Sequence, residues 1–447
     1  MAEARFPEGF LWGISSAAYG IEGAAMSHGR GESIWDRFCR RPGAVRDGSC
    51  GEPACDHYRL WRTDLAELER LGVNAYRFSI SWPRVLPRGA GQPNPEGLDF
   101  YQRLVDALLE RGILPLATLH HWDLPQALED RGGWPSEDLP RLFGQYAGLM
   151  FSSLGDRVSC WITHHDPWSA AFHGYGSGRL APGVRSEEAA VRAAHNLLLA
   201  HAEAVEVFKT FRRPGARIGI ALTLQPARPE SERPEDAEAV EAADAYLNRW
   251  FLDPLLRGSY PPELFETFKA RHPQWEPDGS ELERMARTGT DFLGLNYFTR
   301  RTVRSLENRE HLFSFCPPSG RLTETGWEAY PEGLLELLLR LDHDYGQPEI
   351  YLTAVGAAFP DERNEEGVIE DADRIEFLEE HLIQAHRACR EGVKLRGLFP
   401  WCFLDGFEWS FGYGRRFGLL AVDRQSMRRS WKRSAFWYRE RIAEGGL

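Results

Sequence analysis

The chain has 447 residues, 43% of them hydrophobic and 12% aromatic, which suffices for a sizeable core and excludes a disordered chain. Its formal net charge of −13, with no basic stripe, argues against nucleic-acid binding, and no apolar run approaches the roughly 20 residues of a membrane helix. "MAEARFPEGF" shows no signal pattern, and Cys39, Cys50, Cys55, Cys160, Cys316, Cys389 and Cys402 show no CxxC spacing, so the reading is a cytoplasmic protein with free thiols and no membrane partner.

Short apolar strands alternate with amphipathic helical stretches along the whole chain. The strands are predicted at 10–17, 75–81, 114–121, 158–165, 216–224, 292–299, 349–355 and 395–404. Helices are predicted at 63–72, 100–112 and 376–392, each ending at a glycine suited to a left-handed cap. The acidic, proline-containing run 226–239 reads as a solvated loop. Strands that alternate with helices pair in parallel by crossover, and eight such units point to a closed (β/α)8 TIM barrel. No long linker divides the chain, so residues 1–447 read as a single domain with elaborated loops.

In such barrels the chemistry sits at the C-terminal ends of the strands. Those ends read "HHWD" (120–123), "THHDP" (163–167), "NYFT" (296–299), "TAVG" (353–356) and "WCFLDGFEW" (401–409). Polar and aromatic residues gather on five strand ends at once, which packing alone does not explain. Most of the 15 Trp are assigned to the core, but Trp also makes flat platforms for sugar rings.

The residues at these positions resemble glycoside hydrolase family 1, the β-glucosidase and 6-phospho-β-glycosidase family. The resemblance runs from "FPEGFLWGISSAAYGIEGA" to "KRSAFWYRERI" and includes "YRFSISWPRVLP", "LATLHHWDLPQAL", "AAHNLLLAHAEAV", "DFLGLNYFT", "GWEAYPEGL" and "FLDGFEWSFGY". It implies a barrel with a deep sugar pocket acting on β-glycosides by a retaining mechanism. That mechanism uses an acid/base and a nucleophilic carboxylate about 5–5.5 Å apart. By resemblance the sugar-binding residues are Arg77, His121, Trp122, Asn296, Trp401, Glu408 and Trp409, with Trp401 as a platform and Glu408 as an acceptor for hydroxyls.

The same resemblance shows departures at both carboxylate positions. Asp166 stands at the acid/base position with His165 beside it, and Ala354 stands at the nucleophile position with Val355 beside it. Phe298 replaces a family Tyr, Gly20 a Gln and Gly406 an Asn, and Gly20 is expected to free space for a bulkier or modified sugar. Ala354 can neither attack an anomeric carbon nor hold a proton. Asp166 keeps a carboxyl on a shorter arm, and an imidazole at His165 with its ordinary pKa near 6.5 suits proton transfer at neutral pH. Asp166 and His165 are therefore the candidate catalytic residues. The reading is an enzyme repurposed to act on a small-molecule glycoside or sugar without a covalent glycosyl-enzyme, by rearrangement, transfer, inverting or substrate-assisted cleavage. A catalytically inactive sugar-binding protein and a weak β-glucosidase are the alternatives. His120, His121, His164 and His165 crowd two strand ends, but successive strand residues face opposite ways, so they are read as hydrogen-bonded histidines and no metal or cofactor is assigned.

Overall fold

The computed structural model describes residues 5–306 and 312–447. Eight strands close into one parallel barrel: β1 Leu11–Ser15, β2 Ala75–Ser79, β3 Leu114–His120, β4 Cys160–His165, β5 Arg217–Thr223, β6 Phe292–Tyr297, β7 Ile350–Val355 and β8 Leu395–Pro400. Each predicted strand coincides with one of these. Every residue of β2, β4, β6 and β7 is buried, as expected where helices cover the outside and side chains fill the inside. Ala75, Leu116, Ile162, Ala221, Phe292, Tyr351 and Phe399, from seven different strands, form an apolar cluster separate from the main core. It plugs the barrel interior below the site.

The helices around the barrel include α1 His57–Leu71, α2 Pro95–Glu110, α3 Leu139–Leu154, α4 Glu187–Phe211, α5 Glu332–Asp344, α6 Ala372–Arg390 and α7 Arg433–Glu444. The three predicted helices are α1, α2 and α6, and all start four to six residues earlier than the amphipathic pattern suggests. Pro95, at the first helical position of α2, is pre-set for a helix start, a local signal that hydrophobic spacing does not carry. The predicted terminal glycines do turn left-handed, with φ of 80° at Gly72, 69° at Gly112 and 97° at Gly392.

The run 226–239 is not a loop. Ala227–Pro229 pairs with Arg301–Arg304 in a small outer sheet, and a helix runs over Pro234–Asp244. Pro234 opens that helix and Glu235 and Asp236 lie in its first turn, where acidic side chains meet the positive end of the helix dipole.

A buried ion network ties together the loops after β7 and β8. Lys432 Nζ meets Asp361 at 2.5 Å and Asp405 at 2.8 Å, and Arg374 of α6 meets Asp361 at 2.9 Å. Asp405 also accepts the Gly418 N–H at 2.8 Å, which fixes the segment that carries Glu408. All seven cysteines are unpaired, and among the described residues no helix is long and apolar enough to cross a membrane.

Candidate functional site

Two strand ends at the mouth of the barrel depart from regular pairing. The β4–β5 register breaks between Ile162 and His165, and the β7–β6 register breaks between Leu352 and Ala354. Such bulges re-aim side chains and are frequent beside active sites. Three residues here hold left-handed backbone that non-glycine residues rarely adopt: Trp122 (φ 74°), Asp166 (φ 43°) and Trp409 (φ 54°). Each costs about 1–3 kcal/mol and persists where surrounding contacts over-determine it. One such contact is visible, because Trp122 Nε1–H donates to the carbonyls of His165 at 3.0 Å and Asp166 at 3.2 Å. Gly356 lets the chain after β7 close on β8, since a Cβ there would lie 2.0 Å from the Trp401 carbonyl oxygen.

Trp122, His165, Asp166, Trp401, Glu408 and Trp409 all line one cavity of about 170 Å³. Arg77, His121 and Asn296 are buried beside it but do not line it. The imidazole of His165, which contacts both Arg77 and His121, lies between those two and the cavity. Its ring stacks on His121 with centroids 3.7 Å apart and faces Trp401 at 6.0 Å. His121 also stacks on Trp409 at 5.5 Å. The cavity is correspondingly smaller than the roughly 300–1,000 Å³ of typical small-molecule sites.

Arg77 holds His165 in place. Its guanidinium donates to Thr118 Oγ1 at 3.2 Å, to the Thr353 carbonyl at 2.9 Å and to His165 Nδ1 at 2.8 Å. Arginine has no acceptor, so His165 Nδ1 must accept and its proton sits on Nε2. Burial, then the neighbouring His121 and Arg77, push the His165 pKa well below its ordinary value. The neutral-pH titration expected of His165 is therefore not met. Burial with no carboxylate nearby pushes even Arg77 down to about 9.

The two carboxyls in the cavity behave differently from solvated ones. Burial lifts Asp166 to about 6, against hydrogen bonds from Ser169 and Thr223. Its Oδ1 accepts the Ser169 N–H at 3.1 Å. Burial lifts Glu408 further, to about 8, although the Trp401 Nε1–H donates to it at 3.4 Å. Asn296 joins Thr353 to Thr223, accepting from Thr353 Oγ1 at 2.9 Å and donating to Thr223 Oγ1 at 3.3 Å. Ala354 is fully buried and pairs in register with Asn296.

The histidines separate into two pairs. His120 and His164 pack with Trp134, and His164 stacks on Phe143 at 4.5 Å, while His121 and His165 stack at the cavity. His121 is not an ordinary hydrogen-bonded histidine: neither ring nitrogen has a partner among the described residues. Among those residues no group of three or more His, Cys, Asp and Glu is placed to hold a metal ion.

The space expected at Gly20 is absent. A Cβ there would lie 3.0 Å from the Phe407 carbonyl oxygen, and one at Gly406 would lie 2.5 Å from the Gly20 carbonyl oxygen. The two backbones have closed together, and Phe407 N–H donates to the Gly20 carbonyl at 2.8 Å. The sequence reading also passed over cavity residues. Trp168, His173, Thr223, Gln225, Arg301 and Trp327 line it too. The end of β5, "LTLQ", carries Thr223 and Gln225 and obeys the same strand-end rule, so that pair was there to be found.

Residues 2–447 match the family described as Glycosyl hydrolase family 1. The chain is 43% identical to "Beta-glucosidase A" of Acetivibrio thermocellus over 100% of both chains, and 44% identical to "Beta-glucosidase A" of Thermotoga maritima over 99% of both. Its structure is similar to that of the family 1 β-glucosidase from Thermotoga maritima, with a TM-score of 0.95, 42% identity and 99% of each chain covered. The Thermotoga maritima enzyme has also been solved in complex with deoxynojirimycin, again with a TM-score of 0.95, 42% identity, and 99% of this chain and 100% of that one covered. With the closed parallel barrel and a cavity at the C-terminal ends of its strands, the chain belongs to glycosyl hydrolase family 1.

Proposed function

We propose that this protein, a single domain over residues 1–447, binds a β-glycoside or a modified sugar in the cavity and acts on it without a covalent glycosyl-enzyme. The observation that carries this reading is Asp166: a buried carboxyl at the cavity wall with a pKa of about 6, in a barrel whose seventh strand carries the methyl of Ala354 where the resemblance implies a nucleophile. Asp166 donates its proton to the glycosidic oxygen as the C–O bond breaks. The anomeric carbon is then taken by an acceptor from outside the protein, since Ala354 supplies none. Trp401 and Trp409 supply apolar faces for the sugar ring. Glu408, mostly protonated at neutral pH, both donates to and accepts from hydroxyls. His165 fills the floor and positions Arg77 and His121, and it does not move a proton. The names of the relatives support a β-glucoside as the first substrate to try.

A second reading, a sugar-binding protein without turnover, is favoured by the engaged Arg77–His165 pair, which occupies the floor of the pocket. One experiment separates the two. Aryl β-glucosides are incubated with and without azide or formate, and binding is measured by calorimetry on the same protein. Cleavage stimulated by azide, with an α-glycosyl azide as product, supports the enzyme. Tight binding with no cleavage in either anion overturns it in favour of the binding protein.

A further inference from the structure

The outer half of the cavity carries positive charge that the sugar chemistry does not use. Arg301, one residue after Arg300 on the segment leaving β6, lines the cavity with Arg179, which follows the helical turn after β4. Among the described residues Arg301 makes one side-chain hydrogen bond, Nε–H to Gln225 Oε1 at 2.7 Å, and neither arginine has a carboxylate partner. By contrast Arg300, the preceding residue, is paired with Glu328 at 2.7 Å. The two arginines line the same cavity, and burial, then the charge of Arg179, lowers the pKa of Arg301. The third titratable group here, His173, is held neutral by burial and by both arginines, and a histidine in either protonation state offers them no negative counter-charge. The carboxyls of the cavity, Asp166 and Glu408, are those already assigned to the sugar. The rings of Trp168 and Trp327 line the same cavity as the arginines. Trp168 packs edge-on to His173 at 4.9 Å, and Trp327 packs on Phe298 at 5.6 Å.

We propose that this outer half is an aglycone subsite for an aromatic carboxylate, with Trp168 and Trp327 flanking the ring and Arg301 and Arg179 receiving the carboxylate. A planar guanidinium matches a carboxylate with two parallel hydrogen bonds, which a neutral amide of the same shape cannot reproduce. The assignment rests on the reading of the cavity as a glycoside site, and binding rather than turnover tests it.

The probes are 4-carboxyphenyl β-glucoside and its neutral isostere 4-carbamoylphenyl β-glucoside, with benzoate and benzamide as sugar-free counterparts, all measured by calorimetry. The carboxylate glycoside is expected to bind about tenfold tighter than the amide. That preference should collapse in Arg301→Gln and in the double variant with Arg179→Gln. Arg179 is exposed, so Arg179→Gln alone keeps the fold and should weaken the carboxylate several-fold. Equal affinity for the two glycosides, or a preference that survives the double variant, overturns the subsite. If neither glycoside binds, the glycoside reading falls. The subsite then stands only if benzoate outbinds benzamide in the wild type and not in the double variant, and is overturned otherwise.

Discussion

Arg77 on β2 donates to His165 on β4 across 2.8 Å, and this one bond fixes both the tautomer of the histidine and the depth of the pocket. Because Nδ1 accepts, Nε2 carries the proton, and the ring lies flat on His121. Four expected outcomes follow from this arrangement and its surroundings.

Removing the plug should deepen the site. His165→Asn shortens the side chain and uncovers His121, whose ring nitrogens are unpartnered and can then meet a sugar hydroxyl. Satisfying a buried polar group is worth about 1–3 kcal/mol, so the affinity for deoxynojirimycin, the sugar mimic bound by the Thermotoga maritima relative, should rise about tenfold. Calorimetry on the two proteins checks this, and an unchanged dissociation constant would show that His165 does not block the pocket.

No covalent glycosyl-enzyme should form. Incubation with a 2-deoxy-2-fluoro activated glycoside is expected to leave the intact mass unchanged. Ala354→Glu alone should change little, because His165 holds the guanidinium that would orient a new carboxylate. Ala354→Glu with His165→Asn should label at least tenfold faster than the single variant. A glycosyl adduct on the wild-type protein would defeat the reading of Ala354.

The two buried carboxyls predict a pH signature. Each has a folded pKa above its unfolded value, so the folded state holds its proton longer and stability falls as pH rises through the window. For Asp166 the window runs from about 4 to about 6, and for Glu408 it runs from about 4 to about 8. Above those values each ionised carboxyl costs stability, on the order of 1.4 kcal/mol for every tenfold gain in proton affinity that burial confers. Glu408→Gln should therefore raise Tm by several degrees at pH 9 and by almost nothing at pH 4. In the same window, protonation by Asp166 predicts that cleavage of poor leaving groups declines above about pH 6 and that Asp166→Asn flattens the profile. A Tm difference independent of pH would contradict the first part.

Lys432 should be a stability residue. Fully buried, it balances Asp361 and Asp405, and Lys432→Met leaves two acids with one fewer cation. Breaking a buried pair costs about 3–5 kcal/mol. Chemical denaturation measures it, and a loss below about 1 kcal/mol would contradict the network's role. Because Asp405 precedes the segment bearing Glu408, sugar affinity should fall with it.

The barrel was legible because its signal is redundant: eight largely buried apolar runs leave little freedom in topology. Helix starts were less legible. In α2 the start is set by Pro95, while hydrophobic spacing reports only the middle of the helix. The run 226–239 misled because proline and acidic residues mark both loops and helix N-termini. At the site, the strand-end rule located Asp166, Trp401, Glu408 and Trp409 on the cavity. The behaviour of His165 could not be read from residue order. Its low pKa comes from burial and from His121 and Arg77, which are 44 and 88 positions away in sequence and adjacent only in the closed barrel. The outer arginines escaped notice for a related reason. A charge run was absent, and only folding brings Arg179 and Arg301 to one wall.

The close approach of Gly20 and Gly406 bears on which side chains these two positions accept. With a Cβ at 406 only 2.5 Å from the Gly20 carbonyl oxygen, a side chain at 406 forces two backbone segments apart before any ligand contact is gained, whereas one at 20 needs the Phe407 carbonyl oxygen, 3.0 Å away, to give by only a few tenths of an ångström. A side chain at 406 is thus expected to cost stability unless the segment holding Gly20 moves with it.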